Sequence, residues 1–149
     1  MKSKTLGAGI LAVTVSVCLV VLAQDAPKAP QTVWDGVYTK AQADRGQAQY
    51  NQSCAACHGP ELAGVDETPP LTGGQFMSNW NGLTVGALMD RIHDTMPATG
   101  PGSLSRQVDA DILAYILSSN GFPAGANELP NQSAKLETIK IDASKPDSK

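Results

Sequence analysis

The sequence predicts an all-α domain with three main helices and long glycine- and proline-rich loops between them. Three separate segments carry apolar residues at spacings of three and four, which is the period of an amphipathic helix. The segments 59–82 and 97–104 are rich in glycine and proline and read as loops. The sequence shows no internal repeat and no strand-rich region. Loops of this composition can fold around a flat ligand where a regular element could not.

The first predicted helix begins after Thr39 and runs to about Asn51. Thr39 and Gln42 have the spacing of a capping box, in which each side chain hydrogen-bonds a free backbone N–H at the start of the helix. Gly46 and Tyr50 share one face of this helix. Because glycine is unfavourable by about 1 kcal/mol in a helix interior, Gly46 predicts the close approach of a second helix.

Two more helices follow the same reasoning. One covers residues 84–95, and the other begins after a capping Ser105 and ends before Gly121 and Pro123, which favour termination. Their apolar stripes consist of Val85, Leu88, Met89 and Ile92 in the first and of Val108, Ile112, Tyr115 and Ile116 in the second.

The N-terminal residues 1–23 predict a signal peptide or an uncleaved anchor. Lys2 and Lys4 precede an uncharged run that ends at Ala23, which is the layout of a secretory signal. The run is just long enough to cross a bilayer, so an anchor remains an alternative. We expect cleavage after Ala23 and export to the periplasm.

The remaining chain divides into three parts. Residues 24–37 contain two prolines and predict an extended linker. Residues 38–130 form the predicted domain. Residues 131–149 are polar and lysine-rich, which predicts a flexible tail.

The charge balance excludes one class of partner. Eleven basic and fourteen acidic side chains give a net charge of −3. Loss of Lys2 and Lys4 with the signal would leave nine basic side chains against fourteen acidic ones, a net charge of −5. A nucleic-acid-binding protein would show a basic patch instead. An acidic surface favours a partner with a basic docking face.

Cys54, Cys57 and His58 form a Cys-x-x-Cys-His motif, which indicates covalent attachment of a c-type haem. Two thiols three residues apart lie on one face of a helical turn, where both sulfurs can reach the two vinyl groups of one porphyrin. His58 follows directly and can ligate the iron from the proximal side. Attachment needs reduced thiols in an otherwise oxidising compartment, which fits export.

A zinc site and a thiol–disulfide motif are the alternatives for these cysteines. A structural zinc site needs four ligands at paired spacings, and the only other histidine, His93, has no such pair. A thioredoxin-like motif would lie in a βαβ pattern, which is absent here.

Met96 is the candidate for the second axial ligand of the iron. It ends the apolar stripe of the second predicted helix, immediately before Pro97, where the helix must break. The spacing alone also allows Met96 to be a core residue. Met77 and Met89 are weaker candidates. His93 could compete as a second histidine ligand, but it lies beside Arg91 and Asp94 on the flank of the stripe, so we expect it to be an exposed helix residue.

The order CAACHG, TPPLTG, FMSNW, TMPATGPGSLS and ADILAYILSSNGFPAG resembles the class I cytochrome c family, specifically small bacterial single-haem members, over about residues 33–130. The resemblance implies the cytochrome c fold around one haem c, bound covalently through Cys54 and Cys57. It also implies His58 as proximal ligand and Met96 as distal ligand.

Two further site residues are implied by the same resemblance. The carbonyl group of Pro69 would accept a hydrogen bond from the proximal imidazole, with Pro70 as the alternative acceptor. Trp80 would lie beside the haem, with its indole N–H free to meet a haem propionate.

The expected function is one-electron transfer in the periplasm. An iron with histidine and methionine ligands has no open position for a substrate, and redox partner proteins would dock transiently. The alternatives are an electron-transfer subunit fixed to a dehydrogenase or terminal oxidase, and an open-site haem enzyme or gas sensor in which Met96 is a core residue. We expect no nucleic-acid partner, and a membrane only if the N-terminal segment is uncleaved.

Overall fold

Residues 31–146 are described by the computed structural model. The expected signal peptide lies outside the described residues, as does the first half of the expected linker. The described chain has six α-helices: α1 (Lys40–Ser53), α2 (Ala55–His58), α3 (Gly73–Trp80), α4 (Val85–Thr95), α5 (Arg106–Ser119) and α6 (Ser133–Leu136). Short strands β1 (Gln31–Thr32) and β2 (Ile139–Lys140) pair in parallel, with Gln31 opposite Ile139. The all-α prediction is confirmed.

Side-chain caps begin the three helices that the sequence predicts. Thr39, Thr84 and Ser105 accept hydrogen bonds from backbone N–H groups in the first turns of α1, α4 and α5. The capping box at α1 is only half formed. Gln42 is fully buried and instead hydrogen-bonds both backbone groups of Leu129, at 3.0 and 2.7 Å.

Helices α1 and α5 cross at direct backbone contact. A β carbon on Gly46 would overlap the carbonyl group of Asp111, so only glycine allows this approach. Arg45 spans the crossing and donates two hydrogen bonds to the Asp111 carboxylate, at 3.0 and 3.1 Å. The close helix approach predicted from Gly46 is confirmed.

Helix α5 is buried around more of its circumference than its predicted stripe. Val108 and Tyr115 are only partly buried, whereas Leu113 and Leu117 are fully buried. The reason is that α5 packs against both α1 and α4. The predicted stripe therefore described one of two buried faces.

The expected linker and tail are packed where the structure describes them, which corrects both expectations. Val33 is fully buried, and the indole of Trp34 donates a 2.8 Å hydrogen bond to the carbonyl oxygen of Asp142. Leu136 and Ile141 are also fully buried. A few regularly placed apolar residues thus anchor segments whose overall composition is polar.

The stretch 73–80, expected to be loop, is helix α3. Phe76 is buried, and Met77 and Trp80 pack partly against the core. Two leading glycines conceal the helix in the sequence because glycine has low helix propensity. None of the helices in residues 31–146 has the length and apolar character needed to span a bilayer.

Candidate haem-binding site

The Cys-x-x-Cys-His motif forms a single helical turn at the end of α1. Cys54 closes α1 by donating its backbone N–H to Tyr50, and its carbonyl group accepts the N–H of His58 at 3.0 Å. Both thiols are free; Cys54 is half-buried and Cys57 is exposed. His58 is 7% exposed. The turn therefore presents two thiols and one imidazole together.

Tyr50, on α1, stabilises this turn through a hydrogen bond. Its hydroxyl group donates a 2.6 Å hydrogen bond to the carbonyl oxygen of Gly59. Burial raises the pKa of the Tyr50 hydroxyl to about 12. Burial also raises the pKa of the Cys54 thiol to about 11, with smaller contributions from Asp109 and Cys57. Both groups are neutral at physiological pH.

The loop after the motif orients the His58 ring. Nδ1 of His58 lies 3.0 Å from the carbonyl oxygen of Pro69. Because a carbonyl oxygen only accepts, Nδ1 carries the proton and Nε2 keeps its lone pair for a metal. The partner is thus Pro69, the acceptor that the resemblance implies, and not Pro70. Gly64 holds the loop in place by donating its backbone N–H to the carbonyl oxygen of His58 at 2.9 Å.

A cavity of about 900 Å³ opens in front of the motif. This volume is near the upper end of the range of about 300–1,000 Å³ for cofactor sites. Its wall includes all six site residues predicted from the sequence: Cys54, Cys57, His58, Pro69, Trp80 and Met96. Much of the remaining wall is apolar and comes from Leu71, Leu88, Ile92, Ile112 and Ile116.

The residues present fit a covalently bound haem. The apolar side chains suit a porphyrin, and the two thiols and the imidazole stand on the wall where attachment and ligation require them. The cavity wall also includes Arg91 and Asn79, for which the sequence predicted no role. The only signal for Arg91 was a basic residue beside Ile92 at the edge of an apolar stripe.

Met96 is the methionine of the described chain that lines the cavity. It follows the last residue of α4 in an extended conformation, and its backbone N–H still bonds Ile92 at 2.9 Å. Met89 is fully buried in the core, and Met77 packs against the core from α3. Neither of them contributes to the cavity wall.

His93 is not the exposed residue that we expected. Its side chain is 23% exposed, and Nδ1 lies 2.7 Å from Oδ2 of the fully buried Asp109 on α5. A single sequence stripe could not reveal this pair, because its two members lie on different helices.

Trp80 lies at the end of α3, on the cavity wall. Its ring centroid is 6.4 Å from that of Phe76, which anchors the helix in the core. Within residues 31–146, the hydrogen bonds found do not use the Trp80 indole N–H as a donor.

Comparison with known proteins agrees with this architecture. Residues 41–116, just over half of the chain, match the family model described as cytochrome c oxidase, cbb3-type, subunit III. Among solved structures, the chain is similar to the sulfane dehydrogenase SoxCD from Paracoccus pantotrophus, with 21% identity and a TM-score of 0.54. That match covers 82% of this chain and 68% of the SoxCD chain, and at this identity it shows a shared fold. A search of curated protein sequences gives no match.

The family match spans α1, the attachment motif, the cavity loops, α4 and most of α5. It therefore covers nearly all of the elements that build the cavity. From this match and the fit of the cavity to haem c, the chain belongs to the cytochrome c family that this model describes and is a class I c-type cytochrome, an electron-transfer protein with covalently bound haem c.

Proposed function

We propose that the protein is a periplasmic one-electron carrier in which His58 and Met96 are the axial ligands of the haem iron. One observation carries the proposal: His58 and Met96 line the same cavity as both attachment cysteines. Because they share this cavity, both side chains can serve one ligand bound in it.

Closure of both axial positions determines the type of reaction. When bound, the haem supplies an iron that cycles between the ferrous and ferric states. With histidine and methionine ligands the iron has no open position, so a substrate cannot bind to it. The remaining activity is acceptance and donation of single electrons.

Other residues hold the haem, orient its histidine ligand and exclude water from it. Cys54 and Cys57 retain the cofactor, and Pro69 fixes the His58 ring through the Nδ1–H hydrogen bond. The apolar wall around Ile92 excludes water, which strengthens every electrostatic interaction inside the cavity.

Trp80 and Arg91 suit the carboxylate groups of the haem. The indole N–H is a donor, and the guanidinium is a permanent cation. Both side chains belong to the cavity wall, where a propionate could accept their hydrogen bonds. We assign them to the haem propionates on this ground.

The proposed location rests on the N-terminal sequence. Lys2 and Lys4 before a long uncharged run indicate export. The attachment motif fits export, since its thiols must be held reduced in an otherwise oxidising compartment. Fractionation of cells and N-terminal sequencing of the product should give a periplasmic protein that begins at Gln24. A membrane-bound product that retains Lys2 would contradict this location.

A fixed electron-transfer subunit is the second candidate function. Two observations favour it: the matching family model takes its description from an oxidase subunit, and the similar solved structure is a dehydrogenase. Co-purification of the chain with a larger redox enzyme at high ionic strength would support this function over a free carrier, whose contacts should be transient.

Replacement of Met96 tests the axial ligands. Met96→Ala should abolish the sulfur–iron charge-transfer absorption of the oxidised protein, allow carbon monoxide to bind the reduced protein, and lower the reduction potential. Met77→Leu is the matched control, because Met77 lies outside the cavity wall, and it should retain all three properties. Ready binding of carbon monoxide by the native protein would instead support an open-site haem enzyme or gas sensor.

A further inference from the structure

His93 and Asp109 form a buried acid–base pair that links α4 to α5. Nδ1 of His93 lies 2.7 Å from Oδ2 of Asp109. The Asp109 carboxylate is fully buried, and its other oxygen, Oδ1, has no hydrogen-bond partner among residues 31–146. A buried carboxylate costs free energy when it is charged, and more so when one of its oxygens lacks a hydrogen-bond partner. The proton between His93 and Asp109 therefore strongly affects the energy of the pair.

Both members of the pair are close in sequence to residues of the cavity wall. His93 follows Ile92 and precedes Met96 by three residues, and both of these neighbours line the cavity. Asp109 precedes Ile112, another wall residue, by three residues on α5. One helical turn rises about 5.4 Å. The negative charge of Asp109 also contributes to the raised pKa of Cys54, a residue of the cavity wall, so the pair interacts with a charge placed in the cavity.

Proton exchange with water is possible from one side only. Asp109 is sealed from solvent, whereas the His93 side chain is 23% exposed. His93 can thus take up or release the proton, while Asp109 supplies the negative charge that holds it.

We propose that His93 and Asp109 form a redox-linked proton site, which releases one proton when the haem iron loses one electron. The inference rests on the proposed electron-transfer function. Oxidation adds one positive charge to the iron and weakens the hold of the pair on its proton. The electron passes to a one-electron acceptor protein, the proton passes from His93 to water, and the pair changes from neutral overall to a net charge of −1.

Three groups that interact with the pair, namely Arg106, Asp90 and Cys54, do not titrate in its place. Arg106 on α5 is a permanent cation. Asp90 on α4 has a pKa held below its usual range, chiefly by the hydrogen bond from Arg106. Cys54, at the end of α1, is a thioether once haem is attached and has no proton to lose. Burial, partly offset by the hydrogen bond from His93, raises the pKa of Asp109.

Potentiometry of the haem-loaded full chain tests the proposal. Its midpoint potential should fall as the pH rises through the window in which the pair exchanges its proton, with a limiting slope of about 59 mV for each tenfold drop in proton activity. Asp109→Asn and His93→Gln should each remove this window. Asp111→Asn should retain it, because Asp111 is also a buried carboxylate on α5 but pairs with Arg45 on α1.

A measurement on the unmodified protein makes the test independent of variant folding. In a pH titration followed by NMR, the His93 ring signals should change at a higher pH in the reduced protein than in the oxidised protein. Equal titration midpoints would overturn the proposal, as would a wild-type potential that does not depend on pH. A pH window that survives in both variants would assign the proton to the haem propionates instead.

These outcomes are distinguishable from failure of the proposed function. If the electron-carrier model is wrong, the native reduced protein binds carbon monoxide and the oxidised protein lacks the sulfur–iron absorption. If only the proton site is wrong, both of those properties remain as expected while the potential loses its dependence on His93 and Asp109.

Discussion

The hydroxyl group of Tyr50 donates a 2.6 Å hydrogen bond to the carbonyl oxygen of Gly59. Tyr50 lies in the last turn of α1, and Gly59 caps α2, the helical turn that carries the haem attachment motif. The bond therefore ties α1 to the end of that turn. Both residues are buried, so water cannot replace the donor if it is removed.

Tyr50→Phe should therefore destabilise the protein by about 1–2 kcal/mol at neutral pH, since it leaves a buried carbonyl group without its donor. Chemical denaturation of the haem-loaded protein measures this loss. Tyr115→Phe is the matched control: its ring centroid lies 5.4 Å from that of Tyr50, but its side chain is only partly buried. A loss in the control equal to that in Tyr50→Phe would contradict the role of the Gly59 bond.

The same substitution should change how stability depends on alkaline pH. The pKa of Tyr50 is raised to about 12 in the folded protein, above the value of about 10 for an unfolded chain. Its contribution to stability is therefore complete below about pH 10 and is lost as the pH rises to about 12. The difference in unfolding free energy between wild type and Tyr50→Phe should shrink over this range.

The parts of the fold that follow from local sequence signals were predictable. Thr39 and Ser105 each cap a helix that begins one residue later, and Gly46 marks a helix crossing. Such features need only neighbouring residues or one missing side chain, so the sequence alone reveals them.

The packed ends of the domain were not predictable in the same way. Residues 131–142 are largely polar, and their few apolar side chains have no partner until the chain has folded. Helix α3 was missed for a related reason, because the contacts of Phe76 override the low propensity of the preceding glycines. Long-range packing decided both elements.

The packed C-terminal segment gives a second prediction. Ile141 is fully buried, and its backbone N–H bonds the carbonyl oxygen of Leu83 at 2.9 Å. Ile141→Ala should destabilise the domain by about 2–4 kcal/mol, the usual cost of truncating a buried aliphatic side chain. Thermal and denaturant unfolding check this value.

Lys140→Ala is the control for this prediction. Lys140 is the neighbouring residue and is exposed, so its truncation should change the unfolding free energy by no more than about 0.5 kcal/mol. If Ile141→Ala were as stable as this control, residues 131–142 would form the loose tail that their composition suggests.

In the candidate site too, features with a local sequence pattern were predictable and those that depend on packing between elements were not. The attachment motif is a local pattern and was visible at once. The Pro69 contact came from the family resemblance, because eleven residues separate it from His58. Arg91 and the pairing of His93 with Asp109 carried no usable local signal, since each depends on how α4 faces its neighbours.

Gly64 gives the last prediction, because its position determines where Pro69 meets His58. It has a left-handed backbone (φ +77°), and an added β carbon would overlap the carbonyl oxygen of Thr68, the residue before Pro69. Gly64→Ala should thus move the Pro69 carbonyl group away from Nδ1 of His58. Loss of this hydrogen bond lowers the basicity of the imidazole. A less basic ligand stabilises ferric iron less, so we expect the reduction potential to rise.

Gly121→Ala separates this effect from backbone strain. Gly121 is also left-handed (φ +81°), but its added β carbon would meet nothing within 4 Å. The control should lose about 1–2 kcal/mol of stability through backbone strain alone and keep its potential. Gly64→Ala should lose about 1–3 kcal/mol more because of the overlap. Equal stability losses together with an unchanged potential in Gly64→Ala would show that the Gly64 turn does not position Pro69 against His58.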